Sequence, residues 1–199
     1  MPSRLVAIVA PALIVVAAVA GYLYLSHHAV HAVGPAAAAS AAAPAGAKPA
    51  SLAELKTEPP EVAPDIAFSD ATGARRTLSS YRGHYVLLNL WATWCAPCVK
   101  ELPELAKLQS AVGPAKLAVV TVNVGHSTAA ETGAFLKDHQ ANTLPVLVDT
   151  DTAFIRAFGA FGLPLSILID PKGREIARAT GPAEWDRPQS VMWFKSLPT

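Results

Sequence analysis

Cysteine is nearly absent: among 199 residues only Cys95 and Cys98 carry a thiol. A scaffold stapled by several disulfides is therefore excluded. A zinc site would need further ligands at suitable spacing, and no second cysteine pair supplies them. Net charge is also missing. The 16 Lys and Arg and 15 Asp and Glu leave a formal charge of +1. No basic run stands out, so nucleic-acid binding has no electrostatic support. No motif calls for a cofactor, and none is expected.

Charge is absent altogether from Leu5 to Leu25. As a helix this stretch would be about 31 Å long, enough to cross a bilayer core of about 30 Å. Arg4 is the only charge before it. The positive-inside rule then keeps the N-terminus in the cytoplasm and exports the rest. Residues 1–25 are read as a transmembrane anchor. The competing reading is a cleaved signal peptide, whose apolar core usually spans only about 7–15 residues. No small-x-small site follows Leu25 directly; Ser26-His27-His28 does. The expected location is the bacterial inner membrane, single-pass, with the globular part in the periplasm.

Residues 26–57 have few large apolar side chains. Alanine dominates, and Gly34, Pro35, Pro44, Gly46 and Pro49 interrupt any helix. This composition reads as a tether. His27, His28 and His31 are taken as solvated residues rather than a metal site, and no metal is expected.

Residues 58–199, roughly 140, suit one domain. Val86–Leu90 and Leu117–Val124 are continuous apolar runs, as in strands buried on both faces. Short strands are expected at Pro64–Phe68, Ala74–Leu78 and Leu144–Val148. Leu165–Ile169 and Arg174–Ala179 flank a turn at Pro171-Lys172-Gly173. Helical spacing covers Pro97–Gln109, with a kink expected at Pro103. Further helices are expected at Ala129–Gln140, with Thr128 and Glu131 forming a capping box, at Thr152–Phe158, and at Pro188–Leu197. The order predicts an α/β fold: a central mixed β-sheet flanked by helices.

The two cysteines lie where strand passes to helix, in Trp91-Ala92-Thr93-Trp94-Cys95-Ala96-Pro97-Cys98. Cys95 at a helix N-terminus would be favoured as a thiolate. It is the expected nucleophile on a substrate disulfide, and Cys98, one turn on, resolves the mixed disulfide. A Cys-x-x-Cys in this setting is the thioredoxin-like signature.

The same octapeptide, with Lys100-Glu101-Leu102-Pro103 after it, resembles the membrane-anchored thiol-disulfide oxidoreductases of the TlpA/ResA family. Gly162-Leu163-Pro164-Leu165-Ser166-Ile167-Leu168-Ile169-Asp170-Pro171-Lys172-Gly173 resembles that family's cis-proline loop and final hairpin. Gly181-Pro182-Ala183-Glu184-Trp185 is similar to the stretch that follows in its TlpA branch. The resemblance covers about Pro64–Trp185. It implies that Pro164 is a cis-proline facing the cysteines, with Leu163 offering backbone to a substrate peptide. It implies that Glu101 is an active-site carboxylate able to shift a cysteine pKa or relay a proton. Trp94 and Pro97 would shape the rim, and Trp91 would pack in the core. Asn89 stands where thioredoxin carries a buried acid, which leaves proton transfer to Glu101. Two departures stand out: Leu165 where the family usually has Thr, and no cysteine beyond the active pair.

The implied function is a periplasmic reductant of specific disulfides, supplied by a membrane thiol donor of the DsbD/CcdA kind. TlpA-like members serve the copper-site cysteines of cytochrome oxidase subunit II and the Sco-type chaperone. ResA-like members serve the Cys-x-x-Cys-His of apocytochrome c. The Gly181–Trp185 stretch favours the first. Ala96-Pro97 lacks a His that would donate to the thiolate, so a reducing potential is expected. A non-catalytic copper-delivery module is the alternative from another class. It would be expected to carry Cys-x-x-x-Cys and a distal His, whereas this chain has the shorter spacing. A peroxidase is weaker still, because no Thr-x-x-Cys is present.

Overall fold

The computed structural model describes residues 46–198. The expected anchor and the three N-terminal histidines lie outside these residues. Among the described residues no helix is long and apolar enough to cross a membrane.

Among the described residues eight strands form one sheet: β1 (Lys56–Val62), β2 (Ala67–Asp70), β3 (Arg75–Thr77), β4 (Tyr85–Trp91), β5 (Leu117–Asn123), β6 (Leu147–Val148), β7 (Leu165–Ile169) and β8 (Arg174–Thr180). Their spatial order is β1-β8-β7-β4-β5-β6-β2-β3. The pairs β4·β5 and β5·β6 are parallel, and the others are antiparallel. The helices are α1 (Ala96–Val112), α2 (Ala129–Asp138), α3 (Ala153–Ala157) and α4 (Pro188–Lys195). This is the thioredoxin-like α/β fold with a mixed central sheet.

Strand β4 is buried along its whole length because both faces of the sheet are covered. Side chains alternate across it. Leu87 and Trp91 join one core with Leu102, Leu105 and Leu108 of α1 and Phe194 of α4. Val86, Leu88 and Leu90 join the other with Phe68, Phe154 and Ile167. The capping box is present: Thr128 Oγ1 accepts from Glu131 N at 3.2 Å, and Glu131 Oε2 accepts from Thr128 N at 2.8 Å. Helix α1 continues through Pro103 to Val112 and ends at Gly113, whose φ of 86° suits a residue without Cβ.

The packed domain begins earlier than composition indicated. Residues Ala50–Leu52 form a 3-10 turn, and Leu52 and Leu55 are fully buried in the α1/α4 core. Strand β1 follows at once and pairs with β8, with an irregular register between Thr57 and Glu61. The strand expected at Pro64–Phe68 lies at Ala67–Asp70, and β6 shrinks to Leu147–Val148.

Candidate active site

Strand β4 leads from the middle of the sheet to the cysteines. After Trp91 the chain turns, with Cys95 N donating to Ala92 O at 3.0 Å, and α1 begins at Ala96. Cys95 is the N-cap residue, and its Sγ accepts from Cys98 N at 3.3 Å. Pro97 in the first turn gives up no helical hydrogen bond. The structure is the oxidised form, with a Cys95–Cys98 disulfide. Cys95 is 5% exposed and Cys98 1%. An exposed Cys95 is expected of a nucleophile at a helix start, yet here both sulfurs are buried in the oxidised protein.

Around the pair, Trp94 is 71% exposed and Pro97 is exposed. Trp94 leans against Gly125: a Cβ there would lie 3.3 Å from Trp94 Nε1 and 2.8 Å from Ala92 Cβ. Leu163–Pro164 is a cis peptide bond. Pairing of Leu90 with Leu165 sets the start of β7 beside the end of β4, which brings Pro164 to the cysteine end of the sheet. Leu163 is half-buried and packs on the cluster that contains both cysteines. Leu165 is buried between β4 and β8. Phe161, just before this loop, stands fully exposed. Gly125 and Phe161 lie outside the motifs that mark this site in the sequence.

Glu101 lies on α1 one turn beyond Cys98 and is 2% exposed. Its Oε1 accepts from Trp185 Nε1 at 2.6 Å and from Ala183 N at 2.8 Å. Its Oε2 is buried and has no hydrogen-bond partner among the described residues. Burial pushes the carboxyl up to about 7; the two N–H donors oppose the rise, and Glu104 adds to it. Glu104 is also raised, chiefly by burial, and accepts from Trp185 N at 3.1 Å. Asn89 is buried and donates to Ser166 Oγ at 2.9 Å, so the usual place of a buried acid is neutral here. Trp91 packs in the core, tilted on Phe135. Among the described residues no group of three or more His, Cys, Asp or Glu could hold a metal ion.

The AhpC/TSA family model matches residues 59–176. The chain belongs to the AhpC/TSA family. It is 38% identical over 119 residues to the thiol-disulfide oxidoreductase ResA of Bacillus subtilis, covering 60% of this chain and 65% of that protein. It is 34% identical to the protein of the same name from Geobacillus thermodenitrificans, over 60% of this chain and 67% of that one. The match thus spans about two thirds of these relatives' length. Among solved structures, a thiol:disulfide interchange protein of the thioredoxin family from Chlorobium tepidum aligns with a TM-score of 0.56 and 26% identity, covering 69% of this chain and 98% of that one. The domain that carries Cys95 and Cys98 is a thiol-disulfide oxidoreductase.

Proposed function

We propose that this protein is a membrane-tethered reductant of specific client disulfides on the periplasmic face of the bacterial inner membrane. The observation that carries the reading is a solitary disulfide at the N-cap of α1 with a buried carboxyl, Glu101, one turn behind it. The uncharged Leu5–Leu25 stretch and the Ala-rich tether support an exported domain on a leash.

In the reduced protein the α1 N-terminus favours Cys95 as a thiolate. That thiolate attacks one sulfur of the client disulfide, and the other leaves as a thiolate that takes a proton from water. Cys98 then gives its proton to the Glu101 carboxylate and attacks Cys95 Sγ. The mixed disulfide breaks, the second client sulfur leaves, and the Cys95–Cys98 bond closes. Two electrons pass to the client. A carboxyl at about 7 is half ionised at neutral pH, so it can both accept and return this proton. A membrane thiol donor of the DsbD/CcdA kind would reopen the disulfide.

For clients, the Gly181–Trp185 stretch favours copper-site cysteines of cytochrome oxidase subunit II and the Sco-type chaperone. The ResA name of the relatives favours a second reading, the Cys-x-x-Cys-His disulfide of apocytochrome c. A Cys98→Ala variant discriminates. Incubated with each oxidised client, it should accumulate a Cys95 mixed disulfide with subunit II or the Sco-type chaperone on the first reading, and with apocytochrome c on the second. Equal trapping by Cys95→Ala would refute the assignment of roles.

A further inference from the structure

The two oxygens of Glu101 are treated unequally. Oε1 receives two N–H donors, from the Trp185 indole at 2.6 Å and the Ala183 amide at 2.8 Å. Oε2, equally buried, receives none among the described residues. An oxygen that already accepts two hydrogen bonds is a poor seat for a proton, because its hydrogen would point at the donors' hydrogens. The proton of the neutral acid therefore belongs on Oε2. Both donors can stay on Oε1 whether the group is charged or neutral, so the side chain need not turn as it titrates.

Trp185 is itself held on every side. Its ring is fully buried and tilted on Phe194 with centroids 6.3 Å apart. Its backbone N donates to Glu104 Oε2 at 3.1 Å. The preceding residue is pinned as well: Glu184 N donates to Ser51 O at 3.2 Å, and Ser190 Oγ donates to Glu184 O at 2.7 Å. The indole N–H thus reaches Glu101 from a fixed frame.

We propose that Trp185 is a positioning residue that grips Glu101 by Oε1 and so reserves Oε2 as the oxygen that takes up and returns the Cys98 proton. The proposal rests on the role given to Glu101 above. A ring that merely filled space would need no N–H at this point.

The charged group that bears on this carboxyl is Glu104 on α1, which is in turn influenced by Asp186, Glu184 and Arg187 on the loop; Cys98 lies one turn before Glu101 on α1. Lys107 pairs with Asp186 at 3.0 Å and Arg187 with Glu184 at 2.7 Å. None of these changes when the indole N–H alone is removed.

Trp185→Phe keeps a ring in the core and deletes that donor. The readout is the pH profile of reduction of a disulfide-bonded peptide by the full-length protein, beside Glu101→Gln. The lost hydrogen bond favoured the carboxylate, so the Glu101 limb should move to higher pH by about one unit. Glu101→Gln should abolish the limb. A folded Trp185→Phe protein with an unmoved limb overturns the proposal, while a limb that survives Glu101→Gln overturns the role of Glu101 itself. A second measurement needs no Trp185 variant. The Trp185 indole 1H–15N resonance, identified by its proximity to the Ala183 amide that shares Oε1, should titrate in the unaltered protein with a midpoint near 7. It should be flat in Glu101→Gln. A flat indole in the unaltered protein refutes the grip on Oε1.

Discussion

Replacing Glu101 by Gln should remove a loss of stability that the parent protein suffers between pH 5 and pH 8. Burial raises this carboxyl from 4.5 to about 7. Between those values the native protein holds a proton that the unfolded chain has released. Stability therefore falls as pH rises through this window, and the loss is complete above about 7. At about 1.4 kcal/mol per pH unit the full loss is roughly 3 kcal/mol. Gln does not titrate. Its carbonyl can still accept from Trp185 and Ala183, but its amide replaces Oε2, where no partner exists among the described residues. The neutral parent acid also carries its proton on the unpartnered Oε2, so at pH 5 the cost of an unpaired donor is shared by both proteins. The variant should thus lie close to the parent at pH 5 and be the stronger of the two at pH 8. Glu104 contributes a slope of the same sign, present in both. Asp70, held down to about 2 chiefly by the Thr72 hydroxyl, titrates below this range. The assay is urea unfolding of the oxidised proteins at several pH values, with linear extrapolation. The difference between them should change by roughly 2–3 kcal/mol from pH 5 to pH 8. Two parallel curves, separated by a constant amount, would refute the assignment of a buried titrating carboxyl.

Leu52→Ala should cost about 2–5 kcal/mol in the same unfolding assay, because Leu52 is fully buried where composition suggested a tether; a loss below about 1 kcal/mol would detach this segment from the core. Gly125→Ala places a Cβ 2.8 Å from Ala92 Cβ and 3.3 Å from Trp94 Nε1. It should lower stability by about 1–3 kcal/mol and slow peptide reduction by displacing Trp94, and an unchanged rate with an unchanged near-UV spectrum would show that Trp94 does not need the bare backbone.

Much of the site was legible because its signals are local. The Cys95–Cys98 spacing, the apolar run into it, and the Thr128–Glu131 box each fit within one or two turns of chain. Strand β1 escaped notice because Pro59 and Pro60 argue against a strand; they are tolerated only because it lies at the sheet's edge and its register breaks there. Pro145, without an N–H, shortens β6 to Leu147–Val148 in the same way. Leu52 and Leu55 were too few to register against an alanine background. The Trp185–Glu101 bond joins residues 84 apart in the chain. No periodicity encodes such a contact; the stretch Gly181–Trp185 marked the place without revealing the bond.

The edges of the sheet carry one more consequence. An outer strand is normally an invitation to any unfolded segment nearby, and a client with an open disulfide is often such a segment. Here one border is β1, with two prolines that offer no N–H and with Glu58 and Glu61 beside them. The other is β3, three residues long and bearing Arg75 and Arg76. Neither border can zip up a wandering strand. The fold thus offers an extended segment no strand to join along its flanks and leaves the end that bears the disulfide as its reactive face.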